Sequence, residues 1–234
     1  MIRLVIGRRR QGKTTIAVSM ARKTTRRIVF DPRGLVKLTP GVRVDTSDVK
    51  PVILAIDSVM RGELPECVIT PSLRVQDVFD LTCRRLFKWL HDEPRLSFAL
   101  VVDELRFVKA MDSPEFEWLL RCSDSDRVHI IVTCHRPTDI PTDMRAIADT
   151  WIIFRVTQEH DLKVIESRSI AAANAARGLG AREFVAWDDA TGEFSTFRKP
   201  AQWFVALDDP RADDPDPDAL TDLDADVEPQ RELF

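Results

Sequence analysis

No tyrosine, no CxxC pair, no internal repeat and no run of 18 uncharged apolar residues occurs in this 234-residue chain. The missing apolar run removes any candidate transmembrane helix. The opening MIRLVIGRRRQG also lacks the long apolar core of a signal peptide, so a soluble intracellular protein is expected. Cys67, Cys83, Cys122 and Cys134 have no ligand-like spacing and read as free thiols, with no zinc implied. The absent tyrosine, like the excess of arginine over lysine, fits a GC-rich genome and carries no chemistry. With no repeat to build a solenoid, the length predicts one α/β domain with a large core.

What is present begins at once. Gly7 to Thr14 spell GxxxxGK[ST] directly behind an apolar run that reads as a buried strand. This is the pattern of a P-loop, and it predicts ATP as ligand. Gly7 and Gly12 let the backbone curl until its N–H groups face phosphate oxygens, and the helix that opens near Lys13 presents its positive dipole end. Arg8, Arg9, Arg10 and Gln11 fill the variable positions, where backbone N–H groups matter more than side chains. Lys13 is expected to reach the β and γ phosphates, Thr14 to ligate Mg²⁺, and Thr15 to complete the cradle.

Residues 98–104, FALVVDE, supply the second half of such a site. Five apolar residues in a row predict a strand buried on both faces, and Asp103 emerges at its carboxyl end, where α/β sheets place ligands. Asp103 is expected to hold Mg²⁺ through water, and Glu104 to polarise the water that attacks the γ phosphate. A third apolar strand, in RVHIIVTCHRP at 127–137, ends in Thr133, Cys134, His135 and Arg136. If it lies between the other two, a polar residue at its tip can sense the γ phosphate. For His135 two readings stand, a phosphate sensor and a structural histidine.

With these three motifs the chain resembles the FtsK/HerA superfamily of DNA-pumping ATPases. There the sensor strand usually ends in a TQRP-like sequence followed by a short helix and an apolar strand, and PTDIPTDMRAIADTWIIFRV follows that layout. His135 departs from the family's more frequent Gln. The resemblance covers about residues 1–200 and implies an ASCE-type, RecA-like P-loop fold. That is a doubly wound, mainly parallel sheet in which an added strand separates the P-loop strand from the one bearing Asp103. It implies a ring homo-oligomer, such as a hexamer, whose sites are each completed by a neighbour's arginine. Arg121 and Arg127, just before the sensor strand, match that position. The length is similar to the genome-packaging ATPases of tectivirus-like bacteriophages and their archaeal virus relatives. This implies double-stranded DNA and capsid vertex proteins as partners, and the host cytoplasm or the virion's packaging vertex as location. Two alternatives are a zonular-occludens-toxin-like assembly ATPase that exports single-stranded DNA, and a nucleotide-dependent switch without translocation.

Charge divides the chain. Residues 208–234 carry eleven Asp or Glu against Arg211 and Arg231, nine net negative charges, which leaves the other 207 residues five net positive. The tail has four prolines, little apolar content and no period, so an ATPase domain at 1–207 and a disordered acidic tail at 208–234 are expected. The basic body is the part expected to meet nucleic acid. Within it, helices are predicted near 13–21, 75–90, 114–120 (with Ser113 as N-cap) and 158–166 (capped by Thr157), with another ending near Gly178. Strands are predicted at 27–31 and 151–156, and a hairpin turning around Asp189 to Gly192 closes the sheet. PVILAID at 51–57 is a further apolar segment of open type.

Overall fold

The structure, a computed structural model, describes residues 1–36, 41–46, 48–123, 127–180, 183–189 and 191–198. The boundary expected at 207 and the acidic tail lie outside the described residues. Among the described residues nine strands form one sheet: β1 (Ile2–Ile6), β2 (Arg27–Phe30), β3 (Val42–Val44), β4 (Glu66–Ile69), β5 (Phe98–Val102), β6 (Val128–Cys134), β7 (Thr150–Phe154), β8 (Glu183–Asp188) and β9 (Phe194–Arg198). The helices are α1 (Lys13–Ala21), α2 (Val49–Met60), α3 (Val75–Asp92), α4 (Pro114–Cys122), α5 (Thr142–Ile147), α6 (Glu159–Glu166) and α7 (Ile170–Gly178).

Across the sheet the strands run β3-β4-β2-β5-β6-β1-β7-β8-β9. The first seven are parallel, and β8 and β9 close the sheet as an antiparallel hairpin. β6 pairs with β1 on one side and β5 on the other, which is the inserted strand that the family resemblance implies.

Alternation along each strand sends side chains to opposite faces, and both faces are covered. Ile2, Leu4 and Ile6 of β1 join the larger core with residues of α2, α3 and α4, while Val5 faces the other way and packs with Ile16 and Ala17 of α1. The continuous apolar runs of β1, β5 and β6 follow from this two-sided burial. Among the described residues, no helix is long and apolar enough to cross a membrane.

Three local expectations change. Residues 51–57 belong to α2, where Val52, Ala55, Ile56, Val59 and Met60 form a buried stripe at helical spacing and Pro51 falls in the tolerant first turn. Ser113 occupies the N-cap position of α4, but its buried hydroxyl makes no capping bond and has no partner among the described residues. Gln158, not Thr157, precedes α6, and the Thr157 hydroxyl accepts a hydrogen bond from Arg8 instead. Strands β3 and β4 were not expected from the sequence. They are short, and β4 is wholly buried, so neither shows an alternating pattern.

Candidate nucleotide-binding site

The carboxyl ends of β1, β5 and β6 converge, and the loop from Gly7 to Gly12 rises from β1 into α1. Gly7 is required for space: its N–H donates to the Cys134 carbonyl at 3.2 Å, and a Cβ there would lie 2.7 Å from Cβ of Phe154. Gly12 is required for conformation, with φ at 88° on the threshold of α1. Arg10 also adopts positive φ, 62°, without glycine's freedom. The Gln11 carboxamide accepts from the Arg8 N–H and reaches the Arg155 carbonyl at 3.5 Å, tying the loop to the end of β7.

Lys13 is only 5% exposed, and its Nζ donates to the Arg8 carbonyl at 3.0 Å. Burial pushes its ammonium below the usual lysine range, against the pull of Glu104 and Asp103. Thr14 and Thr133 both donate to Oδ1 of Asp103, each at 2.8 Å. Burial raises the Asp103 carboxyl, the two hydroxyls oppose that, and the negative charges of Asp31 and Glu104 add to it. The site therefore holds a buried carboxyl whose hydrogen-bond donors are neutral hydroxyls, with the Lys13 ammonium acting on it only through space.

Glu104 follows with φ at 55°, a left-handed conformation that a non-glycine residue adopts at a cost of about 1–3 kcal/mol. Its N–H donates to the Thr133 hydroxyl at 2.9 Å, which fixes the turn. The buried carboxylate meets Arg33 Nη1 at 3.2 Å, Arg106 Nε at 3.5 Å and His135 Nε2 at 2.8 Å. His135 Nδ1 lies 3.4 Å from both Lys13 Nζ and the Gly7 carbonyl. Burial first, and then the Lys13 charge, depress the His135 pKa, so the ring is neutral near pH 7. With Nδ1 facing an ammonium donor, the proton belongs on Nε2, which is close to Glu104 Oε2 but not aligned for a hydrogen bond to it.

The structure thus brings Gly7, Gly12, Lys13, Thr14, Asp103, Glu104 and His135 together. It adds Thr133, Arg33 and Arg106, whose roles sequence reasoning missed. Thr133 had a signal, a polar residue at the tip of an apolar strand. Arg33 had none, because it comes from the loop after β2, 71 positions from Glu104.

Arg121 and Arg127 stand apart from this cluster. Arg127 precedes β6, whose seven residues span about 23 Å before His135, and its guanidinium donates to the Leu96 and Leu90 carbonyls. Arg121 is exposed, pairs with Glu117 at 2.6 Å and lies over the Trp118 ring. The nearby Ser123 carbonyl accepts from the Met1 amine, which puts this end of α4 at the start of β1.

Other basic residues hold the fold. Arg27 pairs with the buried Glu66 at 3.1 Å, Arg26 donates to the Met60 carbonyl, and Arg85 forks onto Asp57 with two 2.6 Å contacts. Arg84 pairs with Glu115.

Thr14 and Asp103 offer hard oxygen ligands side by side, and no group of three or more His, Cys, Asp or Glu suited to a metal exists among the described residues. That donor set fits Mg²⁺, which keeps most of its shell for water and substrate phosphates.

Comparisons with known proteins bear on the fold. No protein-family profile matches the sequence, and no curated protein matches it. Solved structures do. The genome packaging NTPase B204 from Sulfolobus turreted icosahedral virus 2, in complex with sulfate, superposes with a TM-score of 0.66 at 19% identity, over 85% of this chain and 96% of that one. The fold is that of the FtsK/HerA-type P-loop ATPases. Two further FtsK/HerA-type structures extend the likeness. The pCW3 conjugation coupling protein TcpA gives a TM-score of 0.55 at 15% identity, over 84% of this chain and 59% of that one. VirB4 of Thermoanaerobacter pseudethanolicus gives 0.53 at 11% identity, over 86% and 89%. At these identities the FtsK/HerA likeness is one of fold, and chemistry must be argued from the side chains.

Proposed function

We propose that the chain is an ATP-driven translocase that packages double-stranded viral DNA into a preformed capsid, working as a ring of identical subunits at the capsid vertex. The observation that carries hydrolysis is the placement of Glu104 beside the hydrogen-bonded Thr14–Asp103 pair, directly under the P-loop. Support for packaging comes from the fold shared along nearly the whole of a viral genome packaging NTPase.

In this reading the backbone N–H groups from Arg8 to Thr15 cradle the phosphates, and Lys13 leaves the Arg8 carbonyl to contact the β and γ phosphates. Thr14 and Asp103 would hold Mg²⁺, which neutralises charge on the phosphate oxygens. Glu104 accepts the proton of the attacking water. Neutral His135 stands between Glu104, beside its Nε2, and Lys13, beside its Nδ1, so it registers whether Lys13 is engaged. Arg121 or Arg127 completes a neighbour's site.

The domain reading continues as part of this proposal: residues 1–207 are the ATPase, and the acidic 208–234 opposes DNA binding by the basic body. Such a protein acts in the host cytoplasm or at the virion.

The test is ATP hydrolysis by the purified chain with and without duplex DNA, paired with displacement of a triplex-forming strand from that duplex. Stimulation and displacement are expected. DNA affinity should fall steeply with salt as counterions are released, and deletion of 208–234 should tighten binding at low salt only. Hydrolysis indifferent to DNA would overturn translocation, and stimulation by single strands alone would favour the export reading.

A further inference from the structure

Beside the P-loop, between the ends of β6 and β7, lies a cavity of about 260 Å³. Arg8, Arg9, Arg106, Arg136 and Arg155 line it, against a single carboxylate, Asp161. It shares Gly7, Arg8, Arg9 and His135 with the P-loop site and so adjoins the phosphate cradle, but Lys13, Thr14 and Asp103 are not among the described residues that line it.

Asp161 is already engaged. It is 4% exposed, receives Arg136 Nε at 3.0 Å and accepts from the Thr138 hydroxyl at 3.1 Å. Arg8 donates to the Thr157 hydroxyl, which brings no charge. Among the described residues the guanidinium groups of Arg9 and Arg155 have no hydrogen-bond or ion-pair partner. The cavity therefore gathers a surplus of positive charge that repels itself at this range. A carboxylate ligand would cancel one charge of that surplus. A phosphate brings more negative charge and several acceptor oxygens, and planar guanidinium forks match it.

We propose that this cavity is a second phosphate site, taking inorganic phosphate or a backbone phosphodiester of DNA. It is wired to the reaction centre: Arg106 lines the cavity and also lies 3.5 Å from Glu104, and His135 lines it while touching the same carboxylate. An anion in the cavity competes with Glu104 for Arg106 and so frees the carboxylate. That consequence rests on the ATPase reading above, but the site itself does not.

Inorganic phosphate titrated calorimetrically into the full chain separates the two. Lys13→Ala removes the P-loop contact and leaves the cavity, so phosphate should still bind this variant. Adding Arg155→Gln should then weaken binding by roughly tenfold, the worth of a charged hydrogen bond. Arg155 is exposed and its guanidinium is unpartnered, so its replacement leaves the fold intact. If Lys13→Ala melts early, Lys13→Met keeps the buried stem and serves instead. Equal affinity with and without Arg155, or no phosphate binding once Lys13 is replaced, overturns the site. Identical binding by wild type and Lys13→Ala would instead count against the P-loop reading while leaving the cavity standing. A short duplex added to phosphate-loaded Lys13→Ala identifies the source. Displacement that depends on Arg155 assigns the phosphodiester, and no displacement assigns inorganic phosphate.

Discussion

Thr14 donates a 2.8 Å hydrogen bond to Asp103, joining residues 89 positions apart at the first turn of one helix and the end of one strand. The same carboxylate oxygen accepts from Thr133 on the strand between them. Three motifs thus meet at one atom, and burial raises its pKa more than the two neutral hydroxyls lower it, with the negative charges of Asp31 and Glu104 adding to the rise. A carboxyl whose folded pKa is raised above its unfolded value disfavours the folded state once it is ionised.

The first prediction follows from that strain. Asp103→Asn keeps an oxygen that can accept from both hydroxyls and removes the buried charge, so it should melt higher than wild type near pH 7 while losing metal-dependent hydrolysis. Glu104→Gln should bind ATP and lower turnover by roughly 10²–10⁴-fold, the usual worth of a positioned base. Lys13→Ala should lose tight nucleotide binding. Single-turnover hydrolysis and nucleotide titration check all three, and normal turnover by Glu104→Gln would remove that residue from the mechanism.

Gly7→Ala tests the close approach of β1 and β7. Its new methyl would meet Phe154 Cβ at 2.7 Å, an overpacking that typically costs about 1–3 kcal/mol. Chemical denaturation should show that loss, and Phe154→Leu at the same time should not restore it because the clash is with the β-carbon. An unchanged midpoint would mean the loop moves freely at Gly7.

His135 links the site to pH. Its folded pKa lies below the ordinary value of about 6.5. The unfolded chain therefore binds more protons in that range, and stability is lost as pH falls through about 6.5 toward the folded pKa. Melting temperature compared at about pH 5 and about pH 7.5 should drop more on acidification for wild type than for His135→Gln. Equal drops would place the titration elsewhere.

Arg121 and Arg127 separate by their surroundings. Arg121→Ala removes an exposed ion pair and should change stability by no more than about 0.5 kcal/mol, whereas Arg127→Ala abandons two backbone carbonyls and should cost about 1–2 kcal/mol. An arginine that completes a neighbour's site poisons mixed assemblies out of proportion to its share. Hydrolysis measured across mixing ratios with wild type decides: linear loss for both variants would end the assignment of either as a residue acting in trans.

The amino-acid sequence by itself marked the P-loop pattern, the Asp103–Glu104 pair and the polar tip of the third strand, while the order β5-β6-β1 was implied by the family resemblance and is the order in the sheet. The three motifs are local patterns: glycine spacing sets a backbone curl, and a continuous apolar run ending in a charge marks a doubly buried strand with its functional end. Tertiary structure alone decided that Arg33 faces Glu104, since it leaves the loop after β2 and meets the carboxylate only because β2 and β5 are neighbours in the sheet, whereas Arg106 lies two residues on in the same turn. It also decided that residues 51–57 are helical, because a fully apolar run shows no period until its buried stripe is known. The fold alone also pairs Arg27 with the buried Glu66 and Arg85 with Asp57, partners 39 and 28 positions away that no local pattern marks.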